Sequence, residues 1–207
     1  MVERPADVIQ IPVAGTDNFT YLVVCPESGK AMGIDPGAAP DSLLEAVHEH
    51  QLALEILANT HGHRDHTAGN QRVLEATGAR LAAHPADVAE PDLPLEEGSV
   101  LQFGSIEVRV MHTPGHTPGS VVFTTTEAVI TGDTLFVTRC GRADLPGSDP
   151  EALYGSLGRL ARLPKEFLVY PGHDYGPKPS STIGFELENN PYLQCSDLQS
   201  FLRLRMG

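Results

Sequence analysis

The densest group of metal-binding side chains in the sequence lies in Thr60-His61-Gly62-His63-Arg64-Asp65-His66-Thr67-Ala68-Gly69-Asn70. It places three imidazoles and one carboxylate in a short segment that follows the apolar run at residues 52–58. Burying such groups costs free energy unless each finds a partner, and a metal ion can partner all of them at once. Alternate side chains of an extended strand end point the same way, so His61 and His63 are expected to face together. We therefore expect a metal-binding loop here rather than a solvated, histidine-rich turn.

The composition is that of one ordinary globular domain. With 207 residues, 41% of them hydrophobic and 20% charged, the chain is long enough for one core of sheet and helix. We expect a single domain that spans residues 1–207. The net charge of −13 argues against nucleic acid or an anionic membrane surface as a partner. No apolar run approaches the length of a membrane span.

The cysteines and the first residues indicate a cytoplasmic protein. Cys25, Cys140 and Cys195 are odd in number, far apart and outside any Cys-x-x-Cys pair, so reduced thiols are expected rather than disulfides. Residues 1–5 contain no apolar segment of the kind found in a secretion signal. A monomer and a homodimer are both compatible with this sequence.

The distribution of β-branched residues, turns and helical periodicity predicts blocks of strand and helix. Strands are expected at residues 7–13, 19–25, 31–34, 54–58, 80–83, 100–103, 106–111, 120–124, 128–131 and 167–170. Helices are expected from a cap at Asp41 or Ser42 to about residue 50, over 67–77, from 150 to 163 and from 196 onward, with a surface loop at 85–98. This order predicts an α+β fold in which two sheets pack face to face with helices outside.

Three further metal-ligand residues follow strands later in the chain. His116 lies in a tight turn that contains two prolines and two glycines, while Asp133 and His173 each come directly after a predicted strand. With the first cluster they make five histidines and two aspartates, a donor set for two adjacent metal ions. His84 and His112 lack this context and are predicted to be structural.

The combined pattern resembles the metallo-β-lactamase superfamily. The matching positions, which follow one another in the family's order, are His61, His63, Asp65, His66, His116, Asp133 and His173. The resemblance implies a four-layer αββα sandwich with metals at one edge of the paired sheets. It also implies a first ion at His61, His63 and His116. A second ion is implied at Asp65, His66 and His173, with Asp133 bridging the two.

Two divalent ions, zinc or iron or one of each, suit a hydrolytic reaction. Such a pair lowers the pKa of a shared water from about 15.7 toward 7, and the metal-bound hydroxide can attack a polarised carbonyl. Asp65 is the residue expected to orient this nucleophile. A thioester suits the site because a thiolate, with a pKa of about 8.5, leaves without a dedicated acid. The sequence contains no Gly-x-Ser-x-Gly elbow for a competing hydrolase mechanism.

Within the superfamily, Cys140-Gly141-Arg142 and His173-Asp174-Tyr175 resemble glyoxalase II, the hydroxyacylglutathione hydrolase. There the residues at the positions of Arg142 and Tyr175 contact glutathione, which implies a small thiol-derived substrate such as an S-acylglutathione. Glyoxalase II has a further C-terminal helical region with basic glutathione contacts, and this chain ends 34 residues after the last of the seven positions. The two arginines of the closing segment 200–207 are not equated with those contacts.

A second branch, the persulfide dioxygenases, also resembles this chain. The matching segments are Cys140-Gly141-Arg142-x-Asp144, Leu153-Tyr154-x-Ser156, Tyr170-Pro171-x-His173-Asp174-Tyr175 and Asn190-Pro191-x-Leu193. Those enzymes use one iron at the positions of His61, His116 and Asp133, a two-histidine, one-carboxylate set that suits Fe(II) and O₂. The hydrolase is the preferred interpretation, and iron-dependent oxidation of glutathione persulfide is the alternative.

Two less specific interpretations remain open from the residues alone. A metal-stabilised binding module predicts closed coordination, whereas Asp133 and the glycine-flanked turns at a strand edge favour an open site. Arg142 and Asp144 are either a surface ion pair worth under about 1 kcal/mol or a clamp for a substrate carboxylate.

Overall fold

The computed structural model describes residues 5–207, so residues 1–4, part of the segment used to argue against a secretion signal, lie outside the described residues. The first half of the chain forms one sheet and three helices. The strands are β1 (Asp7–Pro12), β2 (Phe19–Val24), β3 (Lys30–Ile34), β4 (Ala53–Ala58), β5 (Arg80–Ala83) and β6 (Leu93–Pro94). The helices are α1 (Asp41–Glu49), α2 (Arg64–Thr67) and α3 (Asn70–Thr77). In the sheet the strands follow their chain order, antiparallel from β1 to β3 and parallel from β3 to β6.

The second half forms another six-stranded sheet and a separate hairpin. The strands are β7 (Val100–Phe103), β8 (Ile106–His112), β9 (Val121–Thr124), β10 (Ala128–Gly132), β11 (Leu135–Phe136), β12 (Arg139–Cys140), β13 (Leu168–Pro171) and β14 (Ser181–Thr182). The helices are α4 (Pro150–Leu160), α5 (Ile183–Asn189) and α6 (Leu198–Met206). The sheet order is β14-β13-β10-β9-β8-β7, and β11 pairs with β12 alone. Strands β10 and β13 are parallel.

Three apolar clusters define four layers. Between the two sheets, side chains such as Ile56 from β4 and Phe123 from β9 share one buried core. The outer face of the first sheet packs against α1 and α3, for example through Leu43. The outer face of the second sheet packs against α4, α5 and α6, for example through Leu157 and Phe201. The α+β fold with an αββα layer order is therefore confirmed.

Most predicted elements are present, and their ends differ by a few residues. The main exceptions are short elements that the sequence analysis did not anticipate: β6, the β11–β12 hairpin, β14 and α5. The connection at residues 85–98 was expected to lie wholly on the surface, but it contributes β6 to the sheet edge and buries Leu95 in the core. The prediction that Asp41 or Ser42 caps the first helix is wrong, since Pro40 is the N-cap and no side chain caps the helix.

The helix expected at residues 67–77 is wrong as a single element, because the chain forms α2 and then α3 with a break at Gly69. The carbonyl of His66 accepts a hydrogen bond from Gly37 N–H at 3.1 Å, so it does not continue the helical ladder. A Cβ atom at Gly69 would lie only 2.8 Å from the carbonyl oxygen of Gly37 and 2.7 Å from Pro40. The break therefore lets the segment that carries His66 pack against the turn after β3.

The two sheets are joined at one edge, where several strands end. The N–H of Val121, at the start of β9, donates to the carbonyl of Thr60, directly after β4, at 2.8 Å. Asn18 and His173 form an isolated β-bridge, so the segment before β2 meets the segment after β13. This edge therefore holds the loops after strands of both sheets close together. Among residues 5–207, no helix has the length and apolar character needed to cross a bilayer.

Candidate metal centre

Three histidines from two loops converge at the joined edge. His61 and His63 follow β4, and His116 lies in the turn between β8 and β9. Nδ1 of His63 is 3.1 Å from Nε2 of His61 and 3.0 Å from Nε2 of His116. Nitrogen ligands around a tetrahedral zinc ion lie about 3.3 Å from one another, which is close to these separations. We call these residues the three-histidine group.

The hydrogen bonds of this group leave two ring nitrogens without a proton. Thr60 Oγ1 donates to Asp35, so it accepts from Nδ1 of His61 at 3.1 Å. Nδ1 of His116 faces the carbonyl of Arg142 at 2.9 Å, and a carbonyl can only accept. In the neutral rings, Nε2 of His61 and His116 therefore presents a lone pair toward His63. This donor set fits a divalent metal ion.

A second group combines carboxylates and imidazoles beside the first. Asp65, His66 and His173 bring one ligand atom each within 4.8 Å of one another. Asp133 lies between the groups, with Oδ1 at 3.0 Å from Nδ1 of His173 and Oδ2 at 3.6 Å from Nε2 of His116. We call Asp65, His66 and His173 the carboxylate group.

His66 shows most directly that this second group fits a cation. Its Nδ1 donates to Asp35 Oδ2 at 3.0 Å. Its Nε2 is buried and is the one fully buried side-chain nitrogen or oxygen among residues 5–207 that has no hydrogen-bond partner. That atom lies 3.3 Å from Asp133 Oδ1 and 3.6 Å from Asp65 Oδ2. The lone pair of an unprotonated nitrogen would repel these two carboxylates, so the arrangement is stable only when Nε2 binds a proton or a metal ion.

The pKa values separate the two groups. Burial lowers the pKa of His61 well below its ordinary value, and the neighbouring His66 adds to that effect. Burial also lowers the pKa of His116. These two members of the three-histidine group are therefore neutral near pH 7, so a metal ion displaces no proton from them.

The carboxylate group has the opposite character. Burial opposes protonation of His66, but the charges of Asp133 and Asp35 outweigh it and raise its pKa well above the ordinary value. Burial likewise opposes protonation of His173, but hydrogen bonds to Asp133 and Asp65 raise its pKa to about 9. Without a metal ion, these two imidazoles therefore hold protons near pH 7.

Asp35, which the sequence analysis did not identify, orients both groups. Its buried carboxylate accepts from Thr60 N–H at 2.8 Å, from Thr60 Oγ1 at 2.6 Å and from Nδ1 of His66 at 3.0 Å. These bonds orient Thr60, which accepts from His61, and also fix the ring of His66. The one signal in the sequence is that Asp35-Pro36-Gly37 directly follows a predicted strand. In the structure that strand, β3, pairs in parallel with β4, which leads to Thr60, so Asp35 and Thr60 lie side by side.

The joined edge opens into a cleft of about 740 Å³ whose wall contains four arginines. They are Arg64, Arg139, Arg142 and Arg205. Three carboxylates line the cleft as well, but Asp65 and Asp133 face the histidines and Asp144 pairs with Arg142 and Arg205, so Arg64 and Arg139 have no ion-pair partner among residues 5–207 and favour an anionic ligand. Arg205, one of the two arginines in residues 200–207, lies on α6 and donates from Nε to the carbonyl of Gly141 at 2.8 Å.

The predicted substrate contacts both line this cleft. Arg142 forms a two-pronged pair with Asp144, at 2.9 Å from Nε and 2.8 Å from Nη2. Tyr175 stacks on the ring of His173, with ring centroids 4.6 Å apart and planes 13° apart. By contrast, His84 and His112 stack on each other, with ring centroids 4.4 Å apart, and belong to neither metal-binding group. All three cysteines are free, as expected.

Comparison with known proteins gives consistent matches. Residues 15–173 match the family model of the metallo-beta-lactamase superfamily. A hydroxyacylglutathione hydrolase from Anaeromyxobacter dehalogenans is 40% identical over 177 residues, which are 84% of this chain and 68% of that protein. Among three relatives with that name, identity is 36–42%, and the chain spans 62–71% of their full length.

Solved structures of proteins similar in sequence share this fold over most of the chain. ETHE1 from Myxococcus xanthus superposes with a TM-score of 0.91 at 30% identity, covering 97% of this chain and 90% of that one. TTHA1623 in a di-iron-bound form superposes with a TM-score of 0.77 at 36% identity, covering 89% of this chain and 100% of that one. The resemblance predicted from the motifs is confirmed.

The difference in protonation between the two groups predicts proton release when metal binds. Zinc added to chelator-treated protein at about pH 7 should displace protons from His66 and His173, and the apparent affinity of this step should rise with pH toward about 9. Calorimetry in buffers of different ionisation enthalpy measures the release. His173→Gln should release about one proton fewer. Equal release by both proteins would contradict the assignment.

Proposed function

The chain belongs to the metallo-beta-lactamase superfamily, and we propose that it is a metal-dependent thioester hydrolase of the glyoxalase II type, acting on an S-acylglutathione. The observation that carries the proposal is that the three-histidine group and the carboxylate group converge at the base of a cleft lined by arginines. The sequence similarity to hydroxyacylglutathione hydrolases supports the same reaction.

Two divalent metal ions, zinc or iron, are the proposed cofactors. The three-histidine group would hold the first ion. Asp65, His66 and His173 would hold the second, and Asp133, which contacts histidines of both groups, would bridge them. When bound, such a pair supplies Lewis acidity and activates water at neutral pH.

The chain's own residues then position the reactants. Asp65 has a half-exposed side chain whose Oδ2 is held by His173 at 3.1 Å and by Asn18 at 3.2 Å, so it is fixed yet open to the cleft. A carboxylate so placed can accept a hydrogen bond from the attacking water and orient it toward the thioester carbonyl. The departing thiolate needs no proton from the protein to leave.

Arg142 and Tyr175 are the proposed contacts of the thiol portion of the substrate. Asp144 holds the guanidinium of Arg142 through Nε and Nη2, which leaves Nη1 of the exposed side chain to donate to a substrate carboxylate. Tyr175, with 45% of its surface exposed, offers an aromatic face at the rim next to His173.

Replacement of Arg142 should weaken substrate binding selectively. We expect Arg142→Gln to raise KM for S-lactoylglutathione about 10-fold with little change in kcat, because the contact is equal in ground and transition states. A thioester of N-acetylcysteamine, which lacks the carboxylates, should be insensitive. Arg109→Gln is the matched control, since Arg109 pairs with Glu107 two residues away but lies outside the cleft. Equal losses on both substrates would contradict the assignment.

Persulfide dioxygenation is the second candidate function. It is favoured by the similarity to ETHE1 over nearly the whole chain and by the segments shared with that branch. It would use one Fe(II) at His61, His116 and Asp133, of which Nε2 of His116 and Oδ2 of Asp133 are 3.6 Å apart.

Metal content and turnover together separate the two reactions. The protein is purified without added metal, its metals are counted, and thiol release from S-lactoylglutathione is compared with oxygen uptake on glutathione persulfide. The hydrolase requires about two metals per chain and thiol release without oxygen uptake. About one iron per chain with oxygen consumption would overturn the hydrolase and establish the alternative.

Asp65 offers an independent test, because it belongs to the second ion alone. The two-metal hydrolase predicts that Asp65→Asn lowers kcat by about 100-fold or more, since a proposed ligand and water-orienting group is lost. Asp17→Asn, at an exposed carboxylate of the neighbouring loop, should retain activity. Near-complete turnover by Asp65→Asn would contradict the two-metal mechanism.

A further inference from the structure

We propose that Asp87 is a positioning residue that sets the spacing of the three-histidine group and thereby its affinity for metal. The inference rests on the proposed function, because it assumes that His61, His63 and His116 bind a metal ion. Asp87 comes from the connection at residues 85–98, and its side chain accepts hydrogen bonds from Gly62, Thr117 and Gly119 rather than from these imidazoles.

One carboxylate of Asp87 binds both loops that carry the three histidines. Its Oδ2 accepts from the N–H of Gly62, the residue between His61 and His63, at 2.9 Å. Its Oδ1 accepts from the N–H of Gly119 at 2.7 Å. Oδ2 also accepts a short hydrogen bond from Thr117 Oγ1, directly after His116.

The two glycines leave space for this carboxylate. A Cβ atom at Gly62 would lie 2.7 Å from the carbonyl oxygen of Asp87, and one at Gly119 would lie 2.6 Å from its Cγ. Contacts this short are not tolerated, so any other residue at either position would displace Asp87. Both loops are therefore shaped to accept the same side chain.

The charge of Asp87 is used for these contacts and not for an ion pair. Within residues 5–207, no lysine, arginine or histidine lies within ion-pair distance of its carboxylate. Its three donors are two backbone N–H groups and one hydroxyl, and hydrogen bonds to a carboxylate are stronger than neutral ones.

The consequence for the histidines follows from the geometry of the loops. Nδ1 of His63, from the first loop, lies 3.0 Å from Nε2 of His116, from the second. No direct attraction holds these two nitrogens together when both carry lone pairs. A link between the loops is therefore needed to maintain their separation, and Asp87 provides it at the backbone on either side.

The test measures zinc affinity of chelator-treated protein step by step, by competition with a metal indicator. The step that belongs to the three-histidine group is the one lost in His116→Gln. Asp87→Asn is expected to weaken this step about 10- to 100-fold, as losses of outer-shell contacts do, and to leave the step of the carboxylate group unchanged. A merely structural residue would lower the melting temperature and weaken both steps alike, or neither.

Asp92→Asn is the matched control, because Asp92 lies in the same connection and accepts one backbone N–H, that of Leu81 at 2.8 Å, away from the histidines. Unchanged affinity in Asp87→Asn, or equal effects in the two variants, would overturn the inference. If Asp87→Asn does not fold, Thr117→Val is used instead, because it removes one of the three hydrogen-bond donors to Asp87. A smaller weakening of the same zinc-binding step supports the inference, and unchanged affinity overturns it. If the wild-type protein has no step that His116→Gln removes, the proposed metal ligation itself is wrong.

Discussion

Imidazole nitrogens whose lone pairs face one another are the constraint on which the rest of this structure depends. Nδ1 of His63 is about 3 Å from two such nitrogens, and the other ring nitrogens of His61 and His116 already donate to protein oxygens. With a lone pair also on Nδ1 of His63, as metal binding through that atom requires, this arrangement is repulsive until a cation is bound, so contacts elsewhere must hold it. The fold provides them where strands of both sheets end side by side, through Thr60, which is bonded both to β9 and to Asp35.

Much of this organisation could be predicted from local sequence. The histidine cluster, the glycine-flanked turn at His116 and the strand-then-ligand order at Asp133 and His173 are short-range signals, and each lies where it was expected. The alternation of strand and helix blocks likewise predicts the four layers. What these signals have in common is that neighbouring residues carry all the information.

The residues that hold the site could not be predicted in this way. Asp35 and Asp87 lie in turns where an aspartate is ordinarily solvated, and their partners are 25 or more residues away along the chain. Only the folded chain reveals which N–H and O–H groups these two carboxylates bind. The break at Gly69 has the same origin, since the carbonyl of His66 accepts a hydrogen bond from the N–H of Gly37 in another turn. Arg205 reaches the cleft only because α6 packs on the outer face of the second sheet.

The two groups differ in how they balance charge, and this difference bears on which reaction the fold supports. In the three-histidine group, His61 and His116 are neutral, so the spacing of the ring nitrogens governs metal affinity. The carboxylate group balances anionic oxygens with protons on His66 and His173, so metal must compete with protons there. A mononuclear oxygenase can leave those protons in place, whereas a two-metal hydrolase must displace them. The carboxylates of Asp65 and Asp133 face the nitrogens of His66 and His173 whether a proton or a metal ion lies between them, so the geometry fits a second ion, and the protons on the imidazoles set what that ion must displace.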